Sequence, residues 1–214
     1  MAVKKEIDNK MKKLYSIIIL FVTLFAFDAA AQFRWGPTAG VDFTNLKFEQ
    51  DIFTVDNSTA FQLGVQGEKM FPGIGFGIDI AALYEQRGAT LNLGEKKIWA
   101  VDGYGSERAY LHYLNIPLNL RFKWTRMNGF EDYVAPYVFG GPSLSFLLAH
   151  SDIKALNYDT VELGLSVGLG FEVMKRWQIQ GSYTWGMTTA VQTKLLDGHT
   201  AKNRTWSVRV VRFF

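Results

Sequence analysis

The chain has 214 residues, of which 48% are hydrophobic, 15% aromatic and 20% charged, with 20 Gly, 5 Pro and no Cys. This length fits one domain with or without a targeting segment, and the apolar content excludes a disordered chain. The lack of Cys excludes disulfide bonds, Cys-ligated zinc and thiol catalysis.

The first element along the chain is an export signal. Two lysines, Lys12 and Lys13, precede an apolar stretch over 14–27, and Ala-Ala-Ala-Gln follows at 29–32. A charged start, a short apolar stretch and an A-x-A site are typical of a secretory signal peptide. A spanning helix would need about 20 apolar residues. We therefore expect two regions: an upstream extension (1–10) with a signal peptide, together 1–31, and one domain over 32–214.

Removal of residues 1–31 lowers the formal net charge from +3 to +1, because this segment contains five Lys and three acidic residues. A nucleic-acid partner, which requires a basic surface, is therefore not expected. No later segment reaches 18 consecutive apolar residues, so the exported chain is not expected to contain a transmembrane helix.

Eight segments of the exported chain follow a strand pattern. Seven alternate apolar and polar residues with period two, most clearly from Val161 to Val173; the fifth, over 133–148, does not distinguish its faces. The segments span about 10–16 residues, longer than soluble strands of about five or six and suited to tilted strands that cross a bilayer.

The predicted connections alternate in length. Long links at about 47–57, 88–108, 149–159 and 191–203 alternate with short turns at 70–73 and 174–176 and a medium turn around 128–129. Together with the even strand number, this alternation predicts an all-β, eight-stranded antiparallel up-and-down transmembrane β-barrel of the outer membrane, with both termini in the periplasm.

The polar face of the segments combines small residues with charges, whereas the other face is apolar. Acyl chains outside and a polar lumen inside explain this arrangement. Because an eight-stranded lumen is narrow and an unpaired buried charge is costly, the lumen charges are expected to pair with one another. The predicted lumen network is Asp42, Asp79, Glu85, Arg87, Arg121, Glu162, Glu172 and Arg209.

Aromatic residues concentrate near the predicted strand ends, where rings prefer the headgroup level of a bilayer. The predicted periplasmic belt contains Trp35, Phe71, Phe122, Trp124, Phe171, Trp177 and Phe214. The predicted outer belt contains Phe43, Tyr84, Tyr110, Trp185 and Trp206.

Two stretches, YLNIPLNLRF at 113–122 and PYVFGGPSL at 136–144, resemble the PorT-like outer-membrane β-barrel family of Bacteroidota, and 182–187 (SYTWGM) is similar to a strand of that family. Arg-Phe-Phe at 212–214 resembles a C-terminal assembly signal, which implies that the barrel-assembly machinery reads Phe214. Asn115 stands where the family usually has Glu. The resemblance implies a barrel fold, and some members are linked to secretion or gliding machinery.

Catalysis is the first alternative function. Ser106, His112 and Asp102, or the run 150–152 (His-Ser-Asp), could supply a nucleophile, a base and an acid in a lipid A-modifying enzyme. His112 lies on the apolar face of its predicted strand, which favours a residue at the level of the lipid headgroups. The three His lie on separate connections without metal-ligand spacing, so no metal or cofactor is expected.

A narrow channel for small solutes is the second alternative, although side chains just fill an eight-stranded lumen. We instead predict a non-enzymatic outer-membrane component that acts as an anchor or binds a partner, surrounded by outer-membrane lipid and lipopolysaccharide, and accessory to a secretion or envelope assembly. The long link after the third segment is the candidate site for another envelope protein, because exposed loops rarely keep so many apolar residues. Its candidate contact residues are Leu91, Leu93, Ile98, Trp99, Val101 and Tyr104. The alternative for these residues is that they fold back over the mouth of the barrel.

Overall fold

A computed structural model describes residues 33–48, 55–73, 75–92, 106–151, 156–193 and 200–214. The predicted signal peptide lies outside these residues. Within them the chain is almost entirely strand, with one 3-10 turn at Phe130–Asp132. No helix among them is long and apolar enough to span a bilayer.

Eight long strands build the molecule, and two three-residue strands accompany them. The long strands are β1 (Phe33–Phe48), β2 (Val55–Met70), β3 (Phe76–Asn92), β4 (Ser106–Lys123), β5 (Val134–His150), β7 (Val161–Val173), β8 (Trp177–Gly186) and β10 (Thr200–Arg212). The short strands are β6 (Leu156–Tyr158) and β9 (Val191–Thr193).

The long strands form a closed antiparallel barrel in the order β1-β2-β3-β4-β5-β7-β8-β10. Eleven register pairs between β1 and β10, from Thr38–Val211 to Phe48–Ala201, complete the closure. The sequence-based prediction of an eight-stranded up-and-down barrel is therefore confirmed. The short strands extend the sheet beyond β10, since β9 pairs with β10 and β6 pairs with β9.

The connections define two ends of the barrel. The turn end carries both barrel termini and the links 71–75, 124–133 and 174–176, and the loop end carries the links between β1 and β2, β3 and β4, β5 and β7, and β8 and β10. Gly73 and Gly75 adopt φ values of +82° and +74° in the first turn, a conformation that glycine adopts without strain. Short turns and long links thus lie at opposite ends, as the sequence indicates.

Strand β3 shows how the outer wall is built. From Phe76 to Tyr84 its outward side chains are apolar, a rise of about 23 Å at about 3.3 Å per residue and a tilt of about 40°. This matches the apolar band of about 25 Å that outer-membrane barrels present to lipid. Beyond Tyr84 the outward residues are polar and the inward Ala89 and Leu91 are apolar and fully buried. The two faces therefore exchange character near the loop end.

The structure corrects two predictions at the loop end. The predicted link 88–108 is shorter, because β3 continues to Asn92 and β4 begins at Ser106. The interior is also not polar throughout, since an apolar cluster of buried side chains fills it at this end. Both differences have one physical cause: above the bilayer the wall meets water, so its interior must be apolar, as in a soluble protein.

The exchange of faces predicts opposite effects of one substitution at two heights. Val167→Arg, on the outward face midway along β7, should lower the free energy of unfolding by about 2–4 kcal/mol, because a charge would meet acyl chains. Thr90→Arg, beyond Tyr84 and flanked by Asp56 and Arg108 across the sheet, should change it by less than about 0.5 kcal/mol. Urea unfolding in lipid vesicles measures both, and equal losses would contradict the exchange.

Candidate functional site

An ion-pair cluster crosses the lumen in the half nearest the turn end. We call it the turn-half cluster; it comprises Arg34, Glu68, Asp79, Arg121, Lys123 and Glu172. These residues come from β1, β2, β3, β4 and β7, so the cluster joins five strands of the barrel. Three cations face three carboxylates, and the cluster is therefore neutral as a whole. Such balance is what a buried polar layer requires, because an unpaired buried charge is costly.

Glu68 and Glu172 share their cationic partners. Glu68 Oε1 accepts from Arg34 Nη2 at 2.7 Å and from Lys123 Nζ at 2.8 Å. Glu172 Oε2 accepts from the same two groups at 2.5 and 2.8 Å. Gln178 Nε2 also donates to both carboxylates, at 2.6 and 2.8 Å. Each acid thus has several donors, which fixes its position in the lumen.

Arg121 is the largest fully buried side chain of the described residues. Its guanidinium donates to Glu68. The Nε and Nη2 atoms each lie 3.1 Å from Asp79 Oδ2. Its central carbon lies 4.2 Å from the ring centre of Tyr137, an inward residue of β5. Arg121 therefore bridges two acids that are cross-strand neighbours on β2 and β3. Its flat face packs on an aromatic ring, which is a cation–π contact in a desolvated setting.

The other half of the polar lumen carries an excess of acids. In this loop-half network Asp42 Oδ1 accepts from Gln62 and Ser207, each at 2.5 Å. Glu85 accepts from Arg87 at 2.6 and 3.0 Å, and Glu162 lies 3.5 Å from the same guanidinium. Arg87 thus contacts two of the three carboxylates of this network, and Arg209 is a second buried cation of the lumen. Neutral donors complete the network, notably the amides of Asn115 and Asn203.

Asn115 illustrates why a neutral residue suits this level. Its Nδ2 donates to Glu85 Oε1 at 2.7 Å, and its Oδ1 accepts from Ser145 Oγ at 3.1 Å. A Glu at this position, as in the resembled family, would place a fourth carboxylate beside Glu85. The amide instead supplies a donor, so the departure from the family pattern is matched by the surrounding acids.

An apolar layer occupies the interior at the loop end. We call it the rim core; its buried members are Leu46, Ala89, Leu91, Ala109, Leu111, Tyr113, Ala190, Val191 and Ala201. Arg87 links it to the loop-half network, since the guanidinium lies 5.0 Å from the Tyr113 ring centre. Side chains therefore occupy the interior at three successive levels: the ion pairs, the acid-rich network and the rim core.

The structure places all eight predicted lumen residues on the inside. Seven belong to the two polar layers, and Arg209 lies beside them, with Nε and Nη2 each 3.0 Å from the Gln180 side-chain amide. Arg34, Glu68 and Lys123 belong to the network but are not among the lumen residues predicted from the sequence. Strand parity is the signal that could have found them, because Lys123 follows Arg121 by two positions.

The candidate partner loop divides between described and undescribed residues. Leu91 lies in β3 with its side chain fully buried in the rim core, so its assignment to an exposed loop is wrong. Burial beneath the loop end removes it from contact with a partner. The other five residues of the candidate set, Leu93, Ile98, Trp99, Val101 and Tyr104, lie outside the described residues.

Aromatic rings surround the barrel near both ends of the apolar band. At the turn end Phe122 contacts Phe76 and Trp124, with ring centres 4.9 and 4.8 Å apart. Phe214, the predicted assembly signal, is exposed at the same end, with its ring centre 5.8 Å from that of Trp35. At the loop end Tyr183 lies 4.7 Å from Trp206 and 4.6 Å from Trp185.

The groups considered for catalysis are engaged elsewhere. Ser151 Oγ accepts from the Tyr110 backbone N–H at 2.7 Å, and the His150 ring stacks on Tyr158 at 4.2 Å. His150 Nδ1 faces the Ser151 carbonyl rather than its hydroxyl. His112 shares a 2.6 Å hydrogen bond with the Tyr84 hydroxyl on the outer wall.

Ser106 side-chain contacts and Asp102 lie outside the described structure. Within the described ranges no group of three or more His, Asp and Glu side chains is arranged to hold a metal ion. At the turn end, outside the membrane band, a 2.6 Å hydrogen bond from Lys175 to Asp132 raises the pKa of Lys175.

The comparisons agree with this architecture. A family model described as "Outer membrane protein beta-barrel domain" matches residues 26–192. Among solved structures, OprG from Pseudomonas aeruginosa is similar with 16% identity and a TM-score of 0.54, covering 86% of this chain and 96% of that one. Ail of Yersinia pestis has 16% identity and a TM-score of 0.48, covering 85% of this chain and 98% of its own.

The outer membrane enzyme PagL has 10% identity and a TM-score of 0.46, with 81% of this chain and 98% of that chain covered. No curated protein sequence matches the chain significantly. At such identities the likeness concerns the fold, and a fold alone does not assign chemistry.

The neutral turn-half cluster predicts a charge-balance effect. Arg121→Gln should lower the free energy of unfolding by about 3–5 kcal/mol, because Glu68 and Asp79 would lose a buried cation. Adding Asp79→Asn restores neutrality and should recover part of this loss. Urea unfolding in lipid vesicles measures both variants.

Arg212→Gln is the matched control, because Arg212 lies outside the lumen over the rings of Trp177 and Phe214. This substitution should lower the free energy of unfolding by no more than about 1 kcal/mol. Asp79→Asn alone gives the free energy that is lost when Asp79 is removed from the unchanged cluster. If Asp79→Asn lowers the free energy of unfolding by the same amount in the Arg121→Gln background, the role of charge balance is contradicted.

Proposed function

The chain belongs to the outer membrane protein beta-barrel domain family, and we propose that it is a non-enzymatic anchor that presents its loop end to another envelope protein. It is an integral outer-membrane protein with eight spanning strands. The proposal therefore concerns what the barrel holds in place.

The exchange of faces near the loop end is the observation that carries this proposal. Strand β3 has 17 residues, which gives a rise of about 43 Å at a tilt of about 40°, whereas the apolar band needs about 25 Å. The additional length forms a wall with a polar outside and its own apolar rim core. Such a wall is packed on the inside and faces water on the outside, which suits a surface that another protein contacts.

The base of the proposed contact loop is fixed on both sides. Leu91 precedes the loop and Ala109 follows it, and both are fully buried in the rim core. A loop that starts and ends on packed strands loses less conformational freedom on binding. This supports residues 93–105 as the partner-binding segment, with Leu93, Ile98, Trp99, Val101 and Tyr104 as its proposed contacts.

The packed lumen argues against a channel. Arg121 has no exposed surface, and the rim core lies across the interior on the loop side of both polar layers. The engaged Ser151 and His150 likewise favour a role without catalysis.

The proposed partner class follows from the resemblance to the PorT-like family. Residues 113–122 and 136–144 carry that resemblance, and they form adjacent parts of β4 and β5. Some members are linked to secretion machinery, which supports an accessory role in a secretion or envelope assembly. During biogenesis we expect the barrel-assembly machinery to read Phe214, which is exposed at the end of β10.

Replacing residues 94–104 with a short Gly-Ser linker should abolish co-purification of the envelope partner, because the apolar contacts of the loop would be lost. The experiment uses the full-length tagged chain, extracted from native membranes in mild detergent and analysed by mass spectrometry. Heat-modifiable gel migration should persist, since the rim core remains intact.

A matched control replaces the link at 126–132, at the opposite end, with a linker of similar composition. It should leave partner recovery unchanged. Equal recovery of the partner with the loop replacement would contradict the proposal, and so would equal loss in both variants.

Two further assays separate the alternatives. In planar bilayers the purified barrel should give no discrete conductance steps, because side chains fill the lumen at three levels. Overexpression should not shift the mass of lipid A. Conductance steps in the intact protein would favour a channel, and a mass shift that His112→Ala removes would favour an enzyme.

A further inference from the structure

The charges inside the described part of the barrel do not balance. Six carboxylates face five cations there, so the lumen has a formal charge of −1. The turn-half cluster is neutral, and the excess acid therefore lies among the other buried charges. These are Asp42, Glu85, Glu162, Arg87 and Arg209. An uncompensated charge enclosed by a wall that faces acyl chains is costly.

The same part of the lumen contains oxygen atoms that lack a donor. Asp42 Oδ1 accepts from Gln62 and Ser207, but Asp42 Oδ2 has no hydrogen-bond partner among the described residues. The side-chain oxygen of Gln62 likewise has none within those residues. Asp42 and Gln62 are both buried, so bulk water does not reach these oxygens.

Strand β10 places further oxygens of this kind beside the acids. Its inward residues Asn203, Thr205 and Ser207 form one row. Ser207 donates to Asp42 at one end of the row, and Asn203 donates to Glu162 at 2.6 Å at the other end. Thr205 lies between them, and its hydroxyl is unpartnered in the described ranges. The row therefore brings the two acids to either side of the Thr205 hydroxyl.

Glu162 and Asn203 each retain one unused oxygen as well. The bond between them engages Glu162 Oε2 and Asn203 Nδ2, whereas Glu162 Oε1 and Asn203 Oδ1 are unpartnered within the described part of the lumen. The set thus contains two carboxylate oxygens, two amide oxygens and one hydroxyl oxygen, with no more than 2% of any of these residues exposed. Its members are Asp42, Gln62, Glu162, Asn203 and Thr205.

A surplus of acceptor oxygens and a missing positive charge favour the same kind of ligand. Hard cations bind carboxylate, amide and hydroxyl oxygens. A proton on one carboxylate would compensate the charge, but it would supply only one donor and leave most of these oxygens unpartnered. A divalent cation would leave the lumen with an excess positive charge. A monovalent cation suits both the charge and the oxygens.

We propose that Asp42, Gln62, Glu162, Asn203 and Thr205 form a binding site for one monovalent metal cation, with sodium as the probe. Only two acids take part, so this set differs from a group of three or more His, Asp and Glu ligands. The cation lies between the turn-half cluster and the rim core and joins β1, β2, β7 and β10 inside the lumen. The site goes beyond the proposed function, and neither depends on the other.

The test measures urea unfolding of the full chain in lipid vesicles over a series of sodium concentrations. N-methylglucamine chloride keeps the ionic strength constant, so the screening of exposed charges does not change. A ligand that binds only the folded state lowers the unfolding equilibrium constant about ten-fold for each ten-fold rise in its concentration above the dissociation constant. The sodium series should show this dependence.

Two variants locate the site. Asp42→Asn should abolish the dependence on sodium, because it removes a charged ligand and leaves the lumen neutral without a cation. Thr205→Val keeps the shape and charge of the lumen but lacks the hydroxyl, so it should shift the dependence to higher sodium concentrations. Heat-modifiable gel migration confirms that each variant is folded.

Asp79→Asn is the matched control. It also removes one buried acid of the lumen, but both oxygens of Asp79 are engaged, by Asn119 and Arg121. The control should respond to sodium as the unchanged chain does, even where its stability is lower.

Four results would overturn the site. The first is unfolding of the unchanged chain that does not respond to sodium, and stabilisation at low pH in that case would show a proton in place of the cation. The second is a sodium response that Asp42→Asn leaves intact. The third is equal loss of the response in Asp79→Asn, which would show a general effect of charge balance. The fourth is a larger effect of calcium than of sodium at equal ionic strength, which would show a divalent site.

Discussion

The structure depends on the closure of the sheet between β1 and β10. In hydrocarbon there is no water to satisfy a backbone N–H or carbonyl, so a spanning sheet must have no open edge. The eleven register pairs that join the first and last strands remove that edge. Closure also creates an interior, and with eight strands that interior is narrow enough for side chains to fill. The neutral turn-half cluster is the consequence, since charges enclosed in this interior must form ion pairs with one another.

A second consequence concerns the length of the strands. A strand that ended with the apolar band would leave long loops directly on the membrane surface. Here the wall continues into water and its faces exchange character, with Leu91 and Leu111 inside and polar residues outside. The outer face of one strand thus contacts acyl chains along one part of its length and water along the rest. The same exchange places the proposed partner loop on a packed base.

The wall was predictable from sequence because strand periodicity is strong there. The stripe from Val161 to Val173 points outward in the structure, as its alternation indicates. Strand β5 was not assignable, since Tyr137 and Phe139 point inward while Val138 points outward, and all three are apolar. The contact with Arg121 explains why the ring of Tyr137 points inward. This contact joins two strands, so the sequence of neither strand alone predicts it.

The rim was harder to predict for a related reason. Beyond Tyr84 the residues of β3 still alternate with period two, but the apolar residues now point inward and the polar ones outward. In the sequence this change of face makes the segment resemble a loop. The members of the ion-pair network were only partly predictable. Glu68 lies on the inward face of β2, beyond the segment whose alternation is clear from sequence, and its partner Lys123 lies 55 residues away. Parity can indicate that a charge is internal, whereas the pairing itself requires the register of the closed sheet.

Site-directed spin labelling along β3 tests the exchange of faces most directly, and the absence of Cys from the chain allows single cysteines to be introduced. Labels at Ile78, Ile80 and Ala82 should be accessible to dissolved oxygen in lipid vesicles, and labels at Gln86, Thr90 and Asn92 to a water-soluble nickel chelate. Labels at Leu83 and Ala89 should be shielded from both. Oxygen accessibility that continues to Asn92, or chelate accessibility at Ile80, would contradict the account.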